Sequence, residues 1–339
     1  MRAAVVEAMG RPPAVADVPE PGRRAGEALV RIQAAALNPV EVHIWNGHFF
    51  DGPPRPPYVI GLEGIGVVEE GERLAPGTRV RVEFVHPGYG RDGALAEYAV
   101  APEEADASDR ASQASLAAIG DELDDTAAAA LGVPVFTALM CLERAEAAGA
   151  SVDGAHVLVI GATGAVGLVA VQLAKLKGAA RVVAAGRNPE RLERARSLGA
   201  DASVELADGL APEELRALLA EAADGRLDVA LDPLWGEPAR AAIEALTQDG
   251  VYVSFGQAAS PLAELSGIPL RNRRVTLVGH SGAWATPQER QAALGRAHTL
   301  AAERGSGLTL DTEELGLDEI GVAWERLARS AGRRLVIRP

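Results

Sequence analysis

The spacing of apolar positions changes character twice along the chain. In the first part they fall in short runs, MRAAVVEA, GEALVRIQAAAL, GIGVVEE, TRVRVEFV and LAEYAVA, separated by RPP, PEPG, DGPPRPP and HPGYGRDG. Short runs bounded by Gly, Pro and Asp predict a β-rich segment. Near residue 122 the texture becomes an alanine-rich helix, DDTAAAALGVPVFTALMCLERAEAAG. From His156 onward, strands and helices alternate: HVLVI, an apolar helix to Lys177, RVVAAG, a helix over 189–198, ASVEL, a helix over 211–222, LDVALDP, a helix over 237–246, VYVSFGQ and VTLVGHSG. That alternation predicts a parallel sheet covered by helices on both faces. Helices around 287–304 and 317–330 and a final strand, RRLVIRP, close the chain.

Between HVLVI and its helix stand Gly161, Ala162, Thr163, Gly164, Ala165, Val166 and Gly167. Strand, glycine turn, helix and strand together form the unit that lays a dinucleotide pyrophosphate on a helix N-terminus. Gly161 allows a tight exit from the strand, Gly164 lets backbone approach phosphate oxygens, and Gly167 lets the helix pack closely. The spacing is GxxGxxG rather than GxGxxG, so the flanking strands carry much of the inference. After the second strand, where an NAD site usually places Asp or Glu, the chain has Gly186-Arg187-Asn188-Pro189-Glu190-Arg191. A guanidinium fork suits a 2′-phosphate, so Arg187, with Arg191 as a second candidate, points to NADPH. Asn188-Pro189 also reads as an N-cap followed by Pro at the first helical position, which would make Arg191 an ordinary helix residue. Thr137 and the pair Phe255-Gly256 complete the candidate cofactor set.

Composition narrows the class. The 339 residues suffice for two domains, and 48% are apolar without a run long enough to span a bilayer. A start without a long apolar segment argues against a signal peptide, so a cytoplasmic protein is expected. A net charge of -14 opposes general nucleic-acid binding. The single cysteine, Cys141, excludes an internal disulfide and any site built from several thiolates.

The segments ALNPVEVHIWNG (36–47), PPYVIGLEGIGVV (56–68), RDGALAEYAVAP (91–102), LGVPVFTAL (131–139), VLVIGATGAVG and GRRLVIRP occur in one order. In that order the chain resembles the quinone oxidoreductase branch of the medium-chain dehydrogenase/reductase superfamily. The resemblance implies an α/β architecture, a Rossmann domain (123–281) and a GroES-like β-rich substrate domain from both chain ends (1–122 and 282–339). It implies an active site between them, a homodimer paired through VTLVGHS, and a quinone or enone as small-molecule substrate. Zinc-dependent relatives use a cysteine where this chain has Asn38 and a histidine where it has Leu62, before Glu63. An amide and a leucine cannot replace thiolate and imidazole, and the six histidines include no HxxxH pair, so zinc-independence is expected.

Without a Lewis acid, hydride delivery to a quinone or α,β-unsaturated carbonyl is easier than oxidation of a simple alcohol. Asn38 is the first candidate catalytic residue, against a plain Asn-Pro turn; His43 is the candidate proton donor, at a relay position in the zinc-dependent relatives, against a surface or structural histidine. Related reductases often have a tyrosine shortly after the glycine matching Gly47, where this chain has His48-Phe49-Phe50, which weakens an enoyl-thioester reductase reading. Tyr58, Trp45 and Trp235 are candidates for lining the acceptor site, each with a packing alternative. Gly279-His280-Ser281-Gly282-Ala283 resembles a hydrolase nucleophile elbow, but only His298 follows it. A non-catalytic NADPH-binding sensor is the remaining alternative.

Overall fold

The computed structural model describes residues 1–48, 52–104, 114–329 and 333–339. They form two compact units: 1–133, 286–291 and 309–339 make the first, and 134–285 with 292–308 the second.

In the first unit, β1 (Arg2–Val6), β2 (Ala14–Asp17), β3 (Glu27–Ala36), α1 (Pro39–Trp45), β4 (Tyr58–Val59), β5 (Glu63–Glu70), β6 (Arg79–Phe84), β7 (Tyr98–Pro102), β8 (Ala114–Ala118) and α2 (Asp125–Ala130) follow one another. The long strand β3 explains how they close. It pairs antiparallel with both β5 and β7, and its register shifts between Ile32 and Ala34. A bulge there reverses the side-chain alternation. Val30, Ile32 and Ala35 therefore face one core with Val80, Val82 and Phe84, while Ala34 and Ala36 face another with Ile65 and Ala128–Ala130 of α2. Alanine on both partners lets α2 lie close to the sheet, and the Asp124 side chain caps it by accepting from Ala127 N–H at 2.8 Å.

The second unit begins in α3 (Val133–Ala147). It continues through β9 (His156–Ile160), α4 (Ala165–Leu176), β10 (Arg181–Gly186), α5 (Pro189–Ser197), β11 (Ala202–Glu205), α6 (Pro212–Ala222), β12 (Val229–Asp232), α7 (Gly236–Ala245), β13 (Val251–Ser254), α8 (Gly267–Asn272) and β14 (Thr276–Gly279). All ladders are parallel, in the order β11-β10-β9-β12-β13-β14. The chain starts in the middle and reverses direction between β9 and β12, the switch point outside whose strand ends ligands bind in such sheets.

The remaining elements are α9 (Pro287–Glu303), β15 (Thr312–Gly316), α10 (Ile320–Ala328) and β16 (Arg334–Arg338). β16 pairs antiparallel with β3 and parallel with β15, which brings the end of the chain into the first unit's sheet. The chain is thus a parallel Rossmann-like α/β unit, as the alternation predicts, with a separate β-rich GroES-like unit, as the resemblance implies. No described helix is long and apolar enough to cross a membrane.

Candidate functional site

In the second unit the site is assembled at the carboxyl ends of β9, β10, β12 and β13. Gly161 leaves β9 at φ +66, a left-handed conformation open to glycine. A Cβ on Gly167 would stand 2.3 Å from the Gly161 carbonyl oxygen, so α4 begins closer to the strand exit than any side chain permits. Gly164 is the N-cap of α4 and offers no side-chain cap, and the first turn holds no acidic residue. The amides of Ala165, Val166 and Gly167 lack intrahelical acceptors by their position, so the turn presents donors and a positive dipole end.

Neighbouring backbone and side chains brace this turn. Ala162 N–H donates to Ala185 O at 3.0 Å. The Thr163 side chain packs over the end of β10, where a Cβ on Gly186 would meet its Cγ2 at 2.5 Å. Asn188 caps α5 by accepting from Arg191 N–H at 3.0 Å, with Pro189 in the first turn. Arg187, just before this cap, is exposed. Arg191 instead turns its Nε onto the Thr163 carbonyl at 2.5 Å. Gly256, after β13, fits against the Pro233 carbonyl, which a Cβ would approach to 2.5 Å, with half-buried Phe255 beside it. Thr137 is half-buried in α3.

Sequence reasoning missed the clamp after β12. Asp232 is fully buried and accepts from Leu234 N–H at 2.6 Å, Trp235 N–H at 3.0 Å and the Tyr252 hydroxyl. Burial first of all raises its pKa, and those three donors oppose the rise. They hold Trp235 at φ 59, ψ -163, a region almost reserved for glycine. Pro233, inside this loop, lies against Gly161, whose Cβ would stand 2.7 Å from its ring. Trp235 packs on Tyr252 with ring centroids 6.1 Å apart.

In the first unit, Asn38 is buried at the start of α1 and does not cap it. Its Nδ2 donates to Ala36 O and to Glu63 Oε1, both at 3.2 Å. Arg334 Nη2 donates to the same Glu63 oxygen at 2.5 Å. Val133 N–H at 2.8 Å and Arg81 Nη1 at 3.4 Å hold the other oxygen. Arg334 also reaches the Leu37 carbonyl. Burial raises the Glu63 pKa, and the two guanidiniums and the Val133 and Asn38 donors pull against that rise. Glu41, one turn into α1, accepts from Leu62 N–H at 3.2 Å. His43, half-buried on the same helix, has a pKa lowered first by burial and then by His48. Trp45 donates to Arg11 O at 2.7 Å and packs edge-on against Trp324, and Tyr58 is buried in the same core. Phe49 and Phe50 lie outside the described residues.

Two further features resolve simply. Among the described residues, no group of three or more His, Cys, Asp and Glu is arranged to hold a metal ion. Ser281 has an ordinary extended backbone, φ -141 and ψ 121, ahead of a three-residue turn, without the strained strand-to-helix corner of a hydrolase elbow. His280 beside it is held down to about pKa 4 by burial and then by Arg144.

Residues 165–297 match the family described as Zinc-binding dehydrogenase, and residues 24–108 match the Alcohol dehydrogenase GroES-like domain. A quinone oxidoreductase of Lama guanicoe is 36% identical over 183 residues, 52% of this chain and 49% of that protein. An alcohol dehydrogenase of Geobacillus stearothermophilus is 33% identical over 229 residues, 59% of this chain and 62% of that protein. The matched region thus spans about half to three fifths of the length of these curated relatives. Among solved structures, the quinone oxidoreductase of Thermus thermophilus, also solved in complex with NADPH, is 29% identical with a TM-score of 0.76, each chain covered completely. Both domain families in their order, with these relatives, establish that the chain belongs to the medium-chain dehydrogenase/reductase superfamily, within its quinone oxidoreductase branch.

Proposed function

We propose that this protein is a zinc-independent, NADPH-dependent reductase that delivers hydride to a quinone or another α,β-unsaturated carbonyl compound. One observation carries the reading: the glycine turn offers the free amides of α4 beside exposed Arg187, with no acid in the first helical turn. Those groups suit a pyrophosphate and a 2′-phosphate. The Thermus thermophilus relative, solved with NADPH, supports the same cofactor. Bound NADPH supplies the hydride; this chain's residues hold it and orient the acceptor.

The acceptor class follows from the other unit. Position 38 carries an amide and position 62 a leucine, so neither offers a thiolate or imidazole to a metal. Both Glu63 oxygens are already engaged by Arg334, Arg81, Asn38 and Val133. An acceptor that spreads the arriving charge onto its own oxygen suits such a site. Asn38, fixed by Glu63 and Ala36 O, supplies an ordered amide for orientation. The open edge of β14, with Thr276 and Gly279 exposed, supports pairing with a second copy.

The test is NADPH oxidation followed with 1,4-benzoquinone, 2-cyclohexenone and no acceptor, with ethanol oxidation by NADP⁺ alongside. Turnover with the first two and little with ethanol is expected. Tight NADPH binding without turnover on any acceptor would overturn the reductase reading.

A further inference from the structure

Glu41 is a buried carboxyl that the proposed chemistry does not use. Its residue is 4% exposed, and one oxygen has a single backbone donor, Leu62 N–H at 3.2 Å. The other oxygen, Oε2, is buried with no hydrogen-bond partner. The nearby cations bond to another carboxyl: Arg334 and Arg81 both donate to Glu63, at 2.5 Å and 3.4 Å, and Arg334 acts on Glu41 only through its field. A carboxylate left this way would be a buried charge with no cation bonded to it, which costs more than a neutral acid in the same place. The groups facing Glu41 from each neighbouring element are Arg334 on β16, Glu63 on β5, Tyr58 on β4 and the Asn38 amide before α1.

We infer that Glu41 carries a proton in the resting protein and, through its charge state, positions the Asn38 amide. The Asn38 side chain serves two carboxyls, Glu63 by a direct bond at 3.2 Å and Glu41 as its other neighbour. With Glu41 neutral, Glu63, bonded by the Arg334 and Arg81 guanidiniums, is the stronger acceptor and holds Nδ2. Once Glu41 ionises, two anions compete for one amide and for Arg334, and Asn38 turns from its place at the head of α1. Burial raises the Glu41 pKa to about 8, against the pull of Leu62 N–H, Arg334 and Asn38. Loss of the proton therefore falls within the mildly alkaline range. Glu41 is a positioning residue, acting through Asn38.

The kinetic part of this inference rests on the proposed reductase activity; the proton itself does not. Infrared spectra of the wild-type protein, without cofactor or acceptor, should contain a buried protonated-carboxyl band that shifts on 13C-glutamate labelling. The band should disappear with a midpoint near 8 and be missing in Glu41→Gln. The 15N–1H signals of the Asn38 side chain, assigned by their loss in Asn38→Asp, should move with the same midpoint in the wild type and stay still in Glu41→Gln. With quinone as acceptor, turnover should fall through that midpoint in the wild type and lose this limb in Glu41→Gln. A wild-type protein with no such band at neutral pH overturns the stored proton. Asn38 signals that ignore pH overturn the positioning role. Failure of turnover alone, with both spectroscopic titrations present, counts against the reductase reading instead.

Discussion

Arg191 donates from Nε to the main-chain carbonyl of Thr163 at 2.5 Å, tying the first turn of α5 to the middle of the glycine turn. Its neighbour Arg187 is exposed at the end of β10. The two arginines therefore have different tasks. In the proposed cofactor site, Arg191 shapes the turn for any dinucleotide, and exposed Arg187 is the one offered to a 2′-phosphate.

Arg187→Asp should weaken NADPH relative to NADH by about 1.5–3 kcal/mol, roughly 10–150-fold, for one lost charge-assisted pair. Arg191→Ala should weaken both cofactors alike, because it loosens the backbone they share. Fluorescence titrations of each variant with both nucleotides check this. Equal NADPH affinity in Arg187→Asp and wild type would sink the assignment of Arg187.

The glycines make a second contrast. Gly167→Ala drives a methyl onto the backbone, 2.3 Å from Gly161 O and 2.6 Å from the Ala162 Cα. Overpacking of that kind costs about 1–3 kcal/mol, so Tm and cofactor binding should fall together. At Gly164 a Cβ meets only Gly161 O at 3.4 Å, and φ is -89. Gly164→Ala should keep its Tm and lose affinity for the dinucleotide, because the methyl would stand where the proposed site receives the phosphates. Calorimetry beside binding titration separates the two, and a normal Tm for Gly167→Ala would contradict the packing argument.

Much of this was legible in the chain because it is local. The alternation of strands and helices, the glycine turn and the Asn188-Pro189 cap are all encoded within a few residues of where they act. The rest depends on folding partners far away. Glu63 and Arg334 meet across 271 positions, and nothing near either one names the other. The available signal was charge inside apolar strands: Glu63 opens β5, Arg81 lies in RVRVEF, and Arg334 in RLVIR. The β3 bulge hid the second core by breaking strict alternation. Asp232 read as the end of a strand, since its role depends on Tyr252 from the adjacent strand.

Metal removal should leave activity intact. Asn38 and Leu62 offer no ligand, and Glu63 is saturated by hydrogen bonds. After prolonged dialysis against a chelator, quinone turnover should persist, with zinc well below one atom per chain by elemental analysis. Activity lost on dialysis and restored by zinc would mean a ligand set other than positions 38 and 62.

Stability should carry the mark of Glu41. Burial pushes its pKa up to about 8 in the folded state, from the ordinary glutamate value of 4.5 in the unfolded chain. Between those values the folded state keeps a proton that the unfolded state has released. That contribution is fully present below 4.5 and is lost as pH rises to about 8, with a slope of up to about 1.4 kcal/mol per pH unit. Glu41→Gln cannot release the proton, so the wild-type stability should fall relative to the variant across this window. Denaturant titrations at a series of pH values check the difference; parallel curves would contradict the shifted carboxyl.

The proposed chemistry divides the work of Asn38 and His43. Asn38→Ala removes the amide that joins Ala36 O to Glu63 and leaves that glutamate with one donor fewer. One lost hydrogen bond of about 1–3 kcal/mol implies roughly a 5–150-fold fall in turnover for every acceptor. His43 should behave differently. Its pKa is lowered by burial and by His48, so it is neutral at neutral pH and gains its proton only in more acidic solution. Quinone reduction leaves charge on oxygens that take protons readily from water, so His43→Ala should change it little. Reduction of an enone requires a proton at carbon, so its rate should rise as the pH falls through the His43 titration. His43→Ala should remove that rise while sparing the quinone reaction. An acid limb that survives in His43→Ala would assign the proton to another group. Brisk ethanol oxidation, or no hydride transfer to either acceptor despite tight NADPH binding, would defeat the reductase reading itself, the second outcome favouring a nucleotide sensor.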